Sequence, residues 1–442
     1  MAEIIEFGAM HYNPAKVPNL SRVVCPPYDM IDDEMKKNLE EQDPYNYVSV
    51  ILPDGDGDEK YRSAMHRMFG WLLRDIMVID SDPGYYVYEQ TFNFDGEQYT
   101  RHGVVGLLKL EEEYGATVKP HEKTFNEFIE DRYALLNETQ SSLESIFFVY
   151  KDQQNAIKQD IESNAAGDAI VFEATDAEGT LHKLYRVKPE AAAKIRAFFA
   201  TQPVYIADGH HRYETARKYM TERKAELGPK YTGKEAFNYL MGVFFNVYDP
   251  GIKILPTHRL IKQMNFSPID LLKNLGNQYK IAAMDFTDAR MERAARIKMR
   301  KMLTQYKTAG KKAFGVVFKR IPNKFFLMIL KDDVNVNIAG TVSEDLKSLD
   351  VMMLEKTILE PYFKISSENE DKQIFYVRGD NKAFEMVKSG EYEVAFILNP
   401  VNPVNVVKIA DNSEEMPHKS TDFFPKLLSG LVVYSFKYSK IK

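Results

Sequence analysis

Cysteine is almost missing from the chain: Cys25 is the single thiol in 442 residues. One thiol cannot build an intrachain disulfide framework or a cysteine-rich metal site. A reducing compartment is therefore expected, and the protein is read as cytoplasmic. Long apolar runs are also missing, and none approaches the roughly 18 residues needed to span a bilayer. The start, Met1 to Phe7, has neither a basic n-region nor an apolar h-region, so a secretory signal is not expected. Excess positive charge is lacking too. The net charge of -6 excludes the broad basic field that would draw in nucleic acid or an anionic membrane, while leaving room for a local anion site. Repeats and low-complexity tracts are absent. What remains is an ordinary globular balance, 44% hydrophobic and 28% charged, which excludes disordered, collagen-like and coiled-coil chains. A chain of this length implies two or three domains.

Many short elements are punctuated by Gly, Pro and Asn. Tyr85 to Phe94 and Gln98 to Leu110 alternate apolar and polar residues around Asp95-Gly96, a strong hairpin signal. Ala169 to Glu173 with Leu181 to Val187, and Gly315 to Arg320 with Lys324 to Lys331, predict two more hairpins. Helical periodicity predicts Glu59 to Arg74, Asn126 to Leu136, Pro189 to Phe199, His210 to Leu227 and Asp288 to Tyr306. Hairpins mixed with helices give an α+β class with a mixed, largely antiparallel sheet. The segment from Lys262 to Pro268 is the expected boundary, which divides the chain into an N-terminal region 1–262 and an α+β C-terminal domain 263–442.

The segment richest in chemistry runs from Val204 to Ala216. A short apolar strand ends at Asp208-Gly209, and a helix is expected to begin at His210. A strand-to-helix turn carries unpaired N–H groups and the positive end of a helix dipole, so it can hold an anion. Gly209 permits close backbone approach, Arg212 offers a planar fork, and His210 and His211 can donate hydrogen bonds or move protons near neutral pH. The plainer alternative is that Asp208 caps the helix and the histidines pack locally.

Three further segments carry candidates. In Pro120-His121-Glu122-Lys123-Thr124, Glu122 can serve as a general base, while Thr124 and the later Arg132 can hold an anion. Alternatively, Thr124 and Glu127 form a capping box. His418-Lys419-Ser420-Thr421 to Lys426 offers two cations and two hydroxyls, but no glycine-rich run precedes Lys419, so it is not a P-loop. Cys25-Pro26-Pro27-Tyr28-Asp29 is a stiff turn, and Thr257-His258-Arg259 follows an apolar stretch; Tyr28, Asp29, His258 and Arg259 are candidates for substrate contact. No protein-held metal is expected. Neighbouring His210 and His211 diverge by about 100° on a helix and make poor joint ligands. Mg²⁺ carried by a nucleotide suits the sequence better.

The Ala207-Asp208-Gly209-His210-His211-Arg212-Tyr213-Glu214-Thr215-Ala216 box resembles that of a widespread prokaryotic family of unknown function placed near the ParB/sulfiredoxin superfamily. Val24 to Asp29, His121 to Thr124, Asp131-Arg132, Leu255 to Arg259 and Lys419 to Lys426 resemble its other motifs, in order. Two positions depart from that pattern: Glu355 stands in place of a His, and His418 in place of a Pro. The wider superfamily includes ParB-type CTPases, sulfiredoxins and free-serine kinases. The kinases pair a Pro-His-Glu segment with an Asp-Gly-His-His-Arg box. The resemblance implies a ParB/sulfiredoxin-like core whose Gly209-to-Arg212 turn binds the phosphates of ATP or ADP with Mg²⁺. Glu122 would deprotonate a hydroxyl acceptor, and Asp208 would lie near the acceptor or the metal. Lys419, Ser420, Thr421 and Lys426 would help to hold the nucleotide. The expected activity is phosphoryl transfer to a small hydroxylated metabolite, resembling free-serine kinase. The alternatives are a phosphate-ester hydrolase and a non-catalytic nucleotide-binding regulator of ParB type. Expected partners are a nucleotide and a small-molecule substrate, with no membrane and no nucleic acid; a homo-oligomer is compatible with the sequence.

Overall fold

A computed structural model describes the chain except residues 125, 166–169, 335, 337, 339–341 and 367–372, and except the side chains of 126–128. The chain forms two compact units. The first comprises residues 1–120, 124–253 and 423–442; the second comprises 121–123 and 254–422. The expected single cut after residue 262 is therefore corrected. Thr257–Ile261 pairs with Ile374–Arg378 and Val394–Ile397, so it belongs to the second sheet. The last segment of the chain returns to the first unit.

The first unit holds a nine-stranded mixed sheet. Its order is Val118–Lys119, Val204–Asp208, Ile146–Tyr150, Tyr239–Asn246, Glu97–Lys109, Tyr86–Phe94, Leu181–Arg186 and Ile170–Thr175, with Ile4–Ile5 also on the Glu97–Lys109 strand. Val204–Asp208 with Val118–Lys119 and Tyr239–Asn246 with Ile146–Tyr150 are parallel, and the other pairs in this sheet are antiparallel. The α+β class and the largely antiparallel mixed sheet follow from this pairing. Asp95 and Gly96 both have positive φ, 51° and 83°. That is the two-residue turn whose twist matches the flanking strands. The Ala169 end of the second expected hairpin lies outside the described residues; its strands are Ile170–Thr175 and Leu181–Arg186.

Helices Pro189–Phe199 and His210–Leu227 have the expected bounds. The first starts with Pro at its first position, where the missing N–H costs nothing. Their apolar residues Ile195, Phe199, Tyr213 and Met220 join Phe148 and Phe244 of the sheet in one core. Among the described residues no helix is long and apolar enough to cross a membrane.

The second unit carries a six-stranded antiparallel sheet in the order Tyr279–Asp285, Lys324–Leu330, Ala313–Phe318, Val394–Ile397, Thr257–Ile261, Ile374–Arg378. Helix Ala289–Thr308 begins after Asp288, whose side chain accepts from Met291 N at 2.8 Å as an N-cap. Its Met299 and Leu303 and the Phe384 and Val387 of helix Asp380–Lys388 cover one sheet face.

One buried cation ties the end of the chain to the first sheet. Arg101 is fully buried and lies opposite Gln90 in the hairpin. Its Nε and Nη2 donate to Gln90 Oε1 at 2.9 and 2.6 Å. Nη1 and Nη2 donate to the carbonyls of Phe424 and Pro425 at 2.9 and 2.6 Å. Gln90 Nε2 donates to Lys426 O at 2.9 Å. The rings of Phe147 and Phe245 lie 4.9 and 4.8 Å from the guanidinium carbon. Burial lowers its pKa to about 9, so it stays charged at neutral pH. Arg101→Met should strand several buried acceptors and cost about 3 kcal/mol or more. Urea unfolding measures the loss; wild-type stability in that variant would contradict the assigned role.

Candidate functional site

The Val204–Asp208 strand is buried through Ala207 and carries Asp208 to the sheet's end. Gly209 then turns the chain at φ 102°, a left-handed conformation that side chains rarely adopt. A Cβ here would meet the Arg212 guanidinium at 3.0 Å. The 18-residue helix starts at His210. Its first i→i−4 bond runs from Tyr213 N to Gly209 O at 3.0 Å, so the amides of His210, His211 and Arg212 precede the ladder.

Gly209 stands at the N-cap position, and Asp208 before it is held by two cations. Its Oδ2 accepts from Arg212 Nη2 at 3.0 Å and its Oδ1 from Lys426 Nζ at 2.8 Å. The three side chains are only 21%, 12% and 16% exposed, so water screens these pairs weakly. Arg212 Nη1 also donates to Ser145 O at 2.8 Å. Burial alone would lower the Arg212 pKa, but the carboxylates of Glu144, Asp208 and Asp29 outweigh it and raise the pKa. The guanidinium expected to fork a phosphate is thus already committed to Asp208 and a carbonyl. His210 is buried, and His211 is partly exposed.

Tyr28, Asp29 and Arg132 join the same unit. The Arg132 guanidinium lies 4.3 Å over the Tyr28 ring. Its Nε donates to Asp131 Oδ2 at 2.9 Å and its Nη1 to Ile51 O at 2.8 Å. Desolvation raises the Asp131 carboxyl, but Arg132, Lys60 and Tyr61 together pull it down to about 2. Burial, then Asp29, pushes Tyr28 up to about 12. Arg132 is therefore a buried structural cation rather than an open anion fork, a correction to the expectation. Sequence reading missed Glu144. It is buried, and its Oε1 accepts from Tyr28 N at 3.2 Å and Ser429 Oγ at 2.8 Å. One signal was available: it is the only charge between Ser141 and Tyr150.

Glu122, Lys419, Ser420, Thr421, His258 and Arg259 belong to the second unit. There Glu122 Oε1 lies 3.2 Å from His418 Nδ1 and accepts from Lys419 N at 3.4 Å. His121 Nε2 lies 3.0 Å from Thr421 Oγ1. Met416 N donates to His121 O at 2.8 Å. Arg259 donates to the carbonyls of Thr257, His418 and Lys419 at 2.7, 3.2 and 3.4 Å. Three motifs distant in sequence thus meet here. The departure at His418 is the group that faces Glu122. Lys419 is held at φ 52° without being glycine, a strained conformation of the sort that clusters at functional sites. Ser420 is buried, and its Oγ donates to Pro417 O. Thr124 opens the next segment of the first unit; the Glu127 side chain of the expected capping box lies outside the described residues.

His258 is corrected as a substrate contact. It is fully buried, its Nε2–H donates to Asp380 Oδ1 at 2.8 Å, and its Nδ1 accepts from Leu398 N at 3.2 Å. Both ring nitrogens are used inside the unit. Among the described residues no three His, Cys, Asp or Glu side chains are grouped to hold an ion.

The sequence model of a family described as a protein of unknown function (DUF1015) matches residues 4–352. The chain belongs to the DUF1015 family. No curated protein gives a significant match. Among solved structures, this DUF1015 chain is similar to a conserved hypothetical protein from Pyrococcus furiosus, at 14% identity and TM-score 0.33, over 71% of this chain and 90% of that one. It is also similar to a free serine kinase in complex with AMP, at 13% identity and TM-score 0.33, over 70% and 84%. A third is SbnI with a C-terminal truncation from Staphylococcus aureus, at 9% identity and TM-score 0.32, over 74% and 85%.

Two outcomes test this geometry. Gly209→Ala forces a side chain into a left-handed turn against Arg212 and should cost about 1–3 kcal/mol in denaturant unfolding. Asp380 should shape the acid limb of stability. Burial raises its carboxyl, but His258 and Arg300 pull it down to about 2. A depressed carboxyl contributes stability above its unfolded pKa of about 3.9, and that contribution is lost as pH falls toward 2. Asp380→Asn should be less stable at pH 7 and show a flatter loss between about pH 4 and 2; an unchanged acid profile would contradict the assignment.

Proposed function

We propose that the protein transfers a phosphoryl group from a nucleotide to a small hydroxylated metabolite, on a ParB/sulfiredoxin-like core. The specific acceptor guess is an amino acid such as serine. The observation that carries the reading is the glycine-started helix at His210 beside the Lys426 ammonium. Amides ahead of the first helical bond, a dipole's positive end and a shielded cation are what a phosphate requires. A nucleotide phosphate would compete with Asp208 for Lys426, and the histidines would donate to its oxygens. Arg212 would act by holding Asp208 and fixing the turn.

The reaction needs little covalent help from the protein. The acceptor oxygen forms the new P–O bond as the bond to the departing nucleotide breaks, and the hydroxyl proton passes to a base. Glu122 is the base in this reading. Mg²⁺ arriving with the nucleotide would neutralise phosphate charge, with Asp208 the carboxylate of the turn suited to it.

The test is product analysis after incubating ATP or ADP and Mg²⁺ with amino acids and other hydroxylated metabolites. The expected product is a phosphorylated acceptor. Free phosphate without one would turn the reading into hydrolysis, and no consumption of any nucleotide would end it. Lys426→Met should weaken nucleotide binding about tenfold, measured by calorimetry. Glu122→Gln should lower turnover by about 10² or more; equal turnover removes Glu122 as the base. No salt-sensitive DNA complex is expected in a gel shift.

A further inference from the structure

A cavity of about 320 Å³ lies wholly within the second unit, between the end of the Ala289–Thr308 helix and the start of the Pro403–Asp411 helix. Its wall carries Arg259, Lys307 and Lys312, with Asp350 as the opposing carboxylate. Lys311 also reaches it but is ion-paired with Asp332. Lys307 and Lys312 lie outside every motif on which the phosphoryl-transfer reading is built.

Two of these cations are held in place by backbone carbonyls. Lys307 Nζ donates to Pro400 O at 2.7 Å, which fixes the ammonium without cancelling its charge. Arg259 is fixed through backbone carbonyls. Asp350 is pinned between Ala313 N at 3.4 Å and Asn399 Nδ2 at 3.2 Å. Asn399 Nδ2 also donates to Leu303 O at 3.2 Å. Desolvation pushes the Asp350 carboxyl up to about 6, against the pull of Asn399, Lys312 and Lys307. Like charges gathered around one weakened carboxylate repel each other unless an anion joins them. Ser348 and Asn405 add a hydroxyl and an amide to the wall.

We propose that this cavity binds a small phosphate monoester, its phosphate between Lys307, Lys312 and Arg259 and its hydroxylated carbon part against the amide and hydroxyl side chains. Lysines serve phosphates as point charges, and a dianion offsets several cations at once. The volume sits at the lower end of small-ligand pockets, which favours a compact ester. Arg259 and Ser420, from motifs of the phosphoryl-transfer reading, also line the cavity, but the inference stands on Lys307 and Lys312 and does not rest on that reading.

The test is calorimetry on the full chain at pH 7.5 and low salt, with inorganic phosphate and glycerol 3-phosphate as probes. Saturable binding is expected, tighter for the ester. Lys312→Met and Lys307→Met should each weaken it tenfold or more with the melting temperature retained. Asp350→Asn should tighten it several-fold by removing the opposing charge. Lys426→Met, in the first unit, should leave it unchanged. No saturable binding of either probe overturns the site, and equal affinity for both overturns the ester assignment. Loss of binding in Lys426→Met with none in Lys312→Met assigns the anion to the other unit and overturns the proposal. Should the lysine variants fail to fold, Asp350→Asn still decides: unchanged or weaker binding counts against it.

Discussion

The Arg101 guanidinium is fully buried, so its N–H groups need acceptors inside the fold. It finds them in the Gln90 amide across the hairpin and in the carbonyls of Phe424 and Pro425. Those bonds bring a segment more than three hundred residues away in sequence onto the central strands. A cation buried this deeply is costly to strip of partners, so the returning segment has one seat. Lys426 follows directly, and its position beside Asp208 depends on that seat. The candidate phosphate turn is therefore completed by a residue that local structure alone could never supply.

Charge in the first unit is consumed in pairs. Arg212 serves Asp208 and a carbonyl, Arg132 serves Asp131 and a carbonyl, and Glu144 collects an amide and a hydroxyl. Motifs of this composition suggest many open anion ligands. Folding turns most of them into braces, because an ion buried without a partner costs several kcal/mol. The turn itself is backbone: a helix start whose first i→i−4 bond begins at Tyr213, held by a glycine that tolerates φ 102°. The second unit shows the same economy around His258, whose two nitrogens are both spent on Asp380 and Leu398. Its cavity between Lys307 and Asp350 differs because cations outnumber carboxylates there.

The sequence by itself determined the local elements. Alternation with Asp95-Gly96 specified the long hairpin, since that dipeptide accepts the positive φ values the turn needs. Pro189 specified one helix start, and a strand ending at Asp208-Gly209 specified another. It also marked the segments that carry the conspicuous polar side chains. Tertiary structure alone decided which of these meet and which remain accessible. Thr257–Ile261 moved to the second sheet because its edges pair there, the end of the chain returned to the first unit through Arg101, and Glu144 proved central despite standing alone among apolar neighbours. The physical reason is range. Turn and helix preferences act between residues a few positions apart, whereas desolvation and ion pairing act between groups that only the folded chain brings within 3–4 Å.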